Sequence, residues 1–524
     1  MTVIIEKLYL NALKLRSGWQ NTLAAVAAGS LKIPRNAVTA CEILSASVDS
    51  RRGNPKLLLK LRIDTDREFK HLSPASAEEL AAFDAPAPEI PERVDLKNPI
   101  VIGTGPAGIS AAWYLAKAGC DPIILDRGAP VEKRMEDHRK FITSRQLDEN
   151  SNLLIGEGGA GTFSDGKLHT GTRDSRARFL KQLWVQCGAP EEILWQSRPH
   201  IGSDKLPEIC ANLRREIEVL GGSFRFNSEV ADFIVENNCC RGVILASGEK
   251  LFAPAVICAP GLGGRSIIRK LCSYADWELK PFQTGCRVET PQETVDRAMY
   301  HLPHRPEALG AAEYHIVSRA EAGNVSSFCM CPGGSVVNAS AWEKRSITNG
   351  MSRFARDGKF ANSCLITTID PGKFSSCEEI FSVFEQLERD IFLHGGNDYT
   401  LPAQDVSAFL KAVPGLKNSG TSAETGIVPG RLDQLLLPQL YRTLIPAAKN
   451  FDARIPGFIR HSKFIGAESF VSSPVRITRD PVSMQNPKLR NLFPAGEGCG
   501  LAGGIVSAAC DGLRAAVSAV YGSC

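Results

Sequence analysis

The stretch Pro-Ile-Val-Ile-Gly-Thr-Gly-Pro-Ala-Gly-Ile-Ser-Ala-Ala-Trp-Tyr-Leu-Ala-Lys-Ala-Gly at 99–119, running on to Ile-Ile-Leu-Asp at 123–126, constrains this chain more than any other. An apolar run, a glycine turn, a helical pattern, a second apolar run and an acid make the strand–turn–helix–strand unit that binds a dinucleotide. Each turn glycine stands where a Cβ would obstruct. Gly103 makes the tight turn, Gly105 lets the backbone approach a pyrophosphate, and Gly108 lets the helix lie close to the strands. Pro106 and Ala107 open the helix, whose free amides and positive dipole end face the phosphates. Asp126 stands where an acid accepts ribose hydroxyls, which disfavours a 2′-phosphate and so NADP at this site.

The rest of the chain is ordinary for a globular protein. Its 524 residues are 43% apolar and 23% charged, enough for several cores. No run of about 18 apolar residues predicts a bilayer span. The amino terminus reads as a strand and lacks the features of a signal peptide. Sixteen cysteines are scattered without a CxxC pair, which fits reduced thiols, no metal site and a cytoplasmic location. A net charge of +4 makes a nucleic acid partner an unfavoured expectation. Residues 1–72 nevertheless hold twelve Lys/Arg against six Asp/Glu, a surplus of six. That surplus suits either a solvated basic face or a docking surface for an acidic partner.

The expected fold class is α/β: a Rossmann-like FAD-binding domain with an inserted α+β cap or substrate domain and a small N-terminal α+β domain. The N-terminal domain covers 1–72, and a Pro/Ala-rich linker or extended wrapping segment covers 73–94. The first part of the flavin domain follows at 95–275, including a helix near 206–220 and a buried strand ending at Gly261, whose end returns to the cofactor. The cap occupies 276–464, and the closing part of the flavin domain is 465–524.

FAD rather than NAD is inferred from the far end of the chain. A strand running into Gly496-Glu497, then Gly503-Gly504-Ile505 at a helix start, offers an acid for a polyol hydroxyl and helix amides for an electron-rich ring edge. This resembles the closing motif of two-dinucleotide-binding-domain flavoproteins, in which the acid holds the ribityl chain and the helix end faces flavin N1 and O2. Across most of its length the chain is also similar to the FAD-dependent proteins labelled NAD(FAD)-utilizing dehydrogenase. That likeness rests on 156–168 (Gly-Glu-Gly-Gly-Ala-Gly-Thr-Phe-Ser-Asp-Gly-Lys-Leu), 199–206, Lys-Pro-Phe at 280–282, 328–334, 348–352 with 355–358, 472–476 and 494–512. The chain departs from the pattern at Leu262, where that group has Gly-His, and at Phe470-Val471, where it has Arg-Thr.

The resemblance implies that Gly158, Gly159, Ala160, Gly161 and Thr162 run along the pyrophosphate and flavin. It also implies that Arg134, downstream of Asp126-Arg127, lies near the phosphates, and that the Val230 backbone meets adenine. The 156–168 loop also has the glycine density of a second NAD fingerprint. It lacks the following helix and the strand with a terminal acid.

A flavin carries hydride chemistry itself, so no catalytic side chain is obligatory. Lys167, leaving the flavin loop, is the cation placed to stabilise negative charge on N1 or on a substrate anion. On a regular strand Cys329 and Cys331 would put both thiols on one face, and they are the candidates for relaying electrons to the flavin. His200 is a further candidate acid or base. The expected function is an FAD-dependent oxidoreductase, moving hydride between a small organic substrate and a nicotinamide (NADH or NADPH) or other acceptor. Its rivals are an FAD-binding module that docks RNA or protein without catalysis, and a flavin-dependent tRNA-modifying enzyme.

Overall fold

In the computed structural model the glycine fingerprint opens a five-stranded parallel sheet, ordered Leu492–Pro494, Val256–Cys258, Ile100–Ile102, Ile123–Leu125, Ser223–Arg225. The structure describes residues 1–16, 18–51, 53–81, 83, 85–92, 94–417 and 420–522. The sheet is covered on both faces, which is why its central strands read as unbroken apolar runs. Val101, Ile124, Ile257 and Phe493 point towards the helices Pro106–Lys117, Leu206–Val219 and Ile505–Tyr521. Ile100, Ile102, Leu125, Val256 and Cys258 point the other way. They meet the antiparallel strands Val230–Glu236, Cys239–Leu245 and Lys250–Phe252 and the helix Arg265–Tyr274.

The cap is built on a seven-stranded sheet, ordered Val317–Ser318, Val325–Cys331, Phe360–Ile369, Phe282–Pro291, Lys463–Glu468, Leu401–Asp405, Ile427–Pro429. Neighbouring strands are antiparallel except the last pair. The helices Cys377–His394 and Pro438–Arg454 share its largest core, through Phe384 and Phe451 packed with Phe282 and Phe464. The helix Cys377–His394 is started by a reciprocal cap: Glu379 N–H donates to Ser376 Oγ (3.1 Å), and Ser375 N–H donates to the Glu379 carboxylate (2.6 Å). The expected boundary at 464/465 falls inside the strand Lys463–Glu468, which belongs to this sheet.

Residues 1–72 form the three-stranded antiparallel sheet Thr2–Asn11, Lys56–Thr65, Val38–Asp49 with the helix Leu23–Leu31 packed against it. Its edge strand is tied to the flavin domain, because Ala46 N–H donates to Trp195 O (2.8 Å) and Ser197 N–H to Ala46 O (2.9 Å). The segment 73–94 carries the short helix Ala77–Ala81; its residues 82, 84 and 93 lie outside the described residues. Ala85, Ile90 and Val94 pack on the flavin-domain core, and Tyr114 Oη donates to Glu89 O (2.7 Å), so this segment wraps the domain.

Two buried ion pairs join cap to flavin domain. Arg356 Nε donates to Asp165 Oδ1 at 3.0 Å, with the side chains 9% and 1% exposed. Arg265 meets Glu388 in a two-pronged pair (3.0 and 2.6 Å) while its guanidinium lies 4.0 Å over the Trp342 ring. Beside the first pair, Gly202 packs so closely on Phe354 that a Cβ would overlap the Phe354 amide nitrogen, and His200 stacks on the Phe354 ring. Much of what links 156–168, 199–206 and 355–358 as sequence words is this joint. Removing one member of such a pair leaves a buried charge and costs about 3–5 kcal/mol. Arg356→Ala is therefore expected to lower the thermal midpoint by several degrees, and Asp165→Asn combined with Arg356→Met to recover most of it in thermal-shift measurements.

Candidate functional site

The fingerprint turn, the 154–169 loop, the strand end at 259–261 and the terminal helix start converge on one cavity of about 580 Å³, closed on another side by the cap. This volume suits a cofactor-sized site. Gly103, Gly105, Pro106, Ala107, Asp126, Arg127, Gly159, Ala160, Gly161, Val230, Gly261, Gly496, Glu497, Gly503, Gly504 and Ile505 all line it, as do Lys167 and Cys329. Residues 126 and 497, nearly four hundred positions apart in the chain, thus share one chamber.

The glycines divide by cause. A Cβ on Gly103 would overlap Ala259 O, and one on Gly108 would overlap Gly103 O, so the protein's own backbone demands both. A Cβ on Gly105 would meet nothing within 4 Å, although it opens into the cavity. The space it leaves is open cavity, into which a ligand can approach the backbone. The helices beginning at Pro106 and Ile505 both direct their positive ends at this space, a pairing suited to a diphosphate.

Asp126 is buried and held from below. Thr104 N–H and Thr104 Oγ1 donate to its Oδ2, and Gly128 N–H donates to Oδ1 (2.7 Å), leaving lone pairs for a further donor. Glu497 differs, since no described residue hydrogen-bonds its carboxylate. Burial pushes its pKa up to about 7, against the pull of the Lys280 ammonium. An acid in this state fits a site whose hydroxyl partners come with a ligand.

Five of the expected residues stand behind the wall. Gly108 packs beneath the turn. Gly158 takes a φ of 79° and donates to Thr104 O (3.0 Å), and Thr162 Oγ1 donates inward to Glu157 O (3.3 Å). Cys331 is fully buried beside Cys329. Arg134 is a correction in mechanism: its five N–H groups go to the carbonyls of Asn152, Glu157 and Gly159, and it is fully buried over the Phe163 ring. It clamps the glycine loop and has no donor left for a phosphate.

His200 also turns away from the cavity. Its Nε2 bonds Phe354 O (2.9 Å) and its Nδ1 is buried without a partner, while burial and the Arg356 cation lower its pKa. The expected alternation at 329 and 331 is broken. The strand slips register between Phe328 and Cys331, and Cys329 has a φ of 43°, so a bulge turns its side chain into the cavity. Sequence reading missed the cap wall: Gln283, Thr348, Asn349 and Glu468 line the cavity from strands or strand ends spread across nearly two hundred residues. Leu262, Phe470 and Val471, the three departures from the resembled pattern, line it too.

Two predictions follow from this geometry. A side chain at residue 105 enters the cavity with its Cβ clear of protein, so Gly105→Leu is expected to stay folded by circular dichroism yet lose bound FAD. Glu497 protonates near pH 7 when folded but near the ordinary carboxylate range when unfolded, so the FAD-free protein gains stability as pH falls through 7. Melting curves between pH 8 and 5.5 are expected to show this rise, and Glu497→Gln to flatten it.

Comparison with known proteins bears on the family. Residues 281–470 match the family described as "FAD-dependent protein, C-terminal domain-like", the stretch that builds the cap sheet, and 101–131 match an NAD(P)-binding Rossmann-like domain. An uncharacterized protein of Clostridium beijerinckii is 34% identical over 518 residues, covering 95% of each chain. Among solved structures, glycine oxidase from Bacillus cereus is similar at 11% identity (82% of this chain, 98% of that one, TM-score 0.37). L-proline dehydrogenase from P. horikoshii is similar at 12% identity (82% and 95%, TM-score 0.36). The cofactor of the present chain is FAD, and the chain belongs with the clostridial protein to one family of FAD-dependent flavoproteins.

Proposed function

We propose that this protein is an FAD-dependent oxidoreductase passing hydride between a small organic substrate held under the cap and an external nicotinamide, NADH or NADPH, or another acceptor. The observation that carries the reading is the shared chamber. Residues suited to a flavin dinucleotide and polar residues of a separate domain line the same cavity. The resemblance to proteins labelled NAD(FAD)-utilizing dehydrogenase points the same way.

FAD, when bound, supplies the hydride chemistry. The chain's residues do the rest. The amides of Gly105 and Ala107 and the two helix ends hold the diphosphate; Asp126 accepts ribose hydroxyls, Val230 meets adenine and Glu497 takes the polyol. Lys167 opposes negative charge on a substrate anion or the ring edge. Leu262, Phe470 and Val471 exclude water, which strengthens every polar contact inside. Among the described residues no helix is long and apolar enough to cross a membrane, and the described cysteines are all free, which supports a cytosolic setting.

Anaerobic mixing of the yellow holoprotein with NADH and with NADPH is expected to bleach the flavin band with at least one of them. Retained FAD that neither nucleotide reduces would remove the nicotinamide half of the proposal. A salt-sensitive RNA gel shift without bleaching would favour a binding module instead.

A further inference from the structure

Cys329 sits at the bulge in the strand Val325–Cys331, in left-handed backbone geometry that costs a non-glycine residue energy and concentrates at functional sites. The distortion has a result: its side chain faces the flavin chamber, while Cys331 lies fully buried behind it. Cys331 Sγ donates to Cys329 O (3.3 Å), which keeps its thiol beside residue 329. Gly350 and Gly334 crowd Cys331, since a Cβ on either would come within 3.1 Å of its side chain. Arg287 Nη1 donates to Cys329 O (3.1 Å), placing a buried guanidinium behind the pair.

The two sulfurs are therefore unlike. The hydrogen bond from Cys331, then the Arg287 and Lys167 cations, bring the Cys329 thiol down to about 7, whereas the same bond and burial push Cys331 up. The cavity-facing sulfur is the one whose thiolate is favoured, and the buried one is the one whose thiol is favoured.

We propose that Cys329 and Cys331 form a redox-active dithiol that exchanges two electrons with the bound flavin; this rests on reading the chamber as a flavin and substrate site. In the reductive direction the 329–331 disulfide bond breaks, Cys331 takes a proton and Cys329 leaves as the thiolate. Both electrons and the proton come from FADH⁻, which returns to FAD, so one disulfide and one FADH⁻ become one thiolate, one thiol and one FAD. The reverse step oxidises the dithiol.

The test uses the holoprotein, oxidised with diamide, freed of reagent and titrated anaerobically with dithionite. The native protein is expected to take up twice the reducing equivalents per FAD that Cys329→Ser takes. Cys331→Ser keeps a hydroxyl donor and leaves the Cys329 thiolate beside the oxidised flavin. It is expected to show a long-wavelength charge-transfer band that fades on acidification as the thiolate is protonated. Equal uptake by native protein and Cys329→Ser, with FAD retained in both, would overturn the dithiol alone. A holoprotein preparation that holds no FAD would overturn the flavin reading with it.

Discussion

Three backbone contacts at one turn carry the architecture. The fingerprint strand, the helix after it and the terminal helix approach so closely that side chains at Gly103, Gly108 and Gly512 would overlap the carbonyl oxygens of Ala259, Gly103 and Ala107. Close packing of this kind is intolerant of added volume. It also aims two helix ends at one point, and the diphosphate site exists because they converge there.

The cap completes the chamber without being part of that packing. It is held by ion pairs and by loops that interlock across the joint, Asp165 with Arg356 and Arg265 with Glu388. Each pair needs its partner, since an isolated buried charge is far more costly than a paired one. Cap residues that face the chamber are thus placed by contacts outside it, while the wall itself is left to meet a ligand.

How much of this was legible follows from how local each signal is. The turn at 103–108 and the strand, turn and helix at 492–505 declare themselves within a few residues, because backbone geometry restricts which residue types are possible. The cap wall does not, since Gln283, Asn349 and Glu468 become neighbours only when strands far apart in the chain pair. For Arg134 the structure shows hydrogen-bond partners that motif likeness did not. A guanidinium with five donors matches the inward carbonyls of a loop held at Gly156, Gly158 and Gly159 in left-handed geometry, and that loop consumes it. Cys329 lines the cavity through a geometry the alternation did not predict, because a bulge leaves no mark in a two-residue period.

One edge strand of the parallel sheet, Leu492–Pro494, pairs with Val256–Cys258, and the helix Ile505–Tyr521 packs on the fingerprint helix Pro106–Lys117. During synthesis nearly four hundred residues must therefore follow the fingerprint strand before this hydrophobic slab can close. Until then the nascent domain exposes an uncovered sheet edge and an apolar helix flank, a state in which chaperones or an early-arriving nucleotide would have the longest time to act.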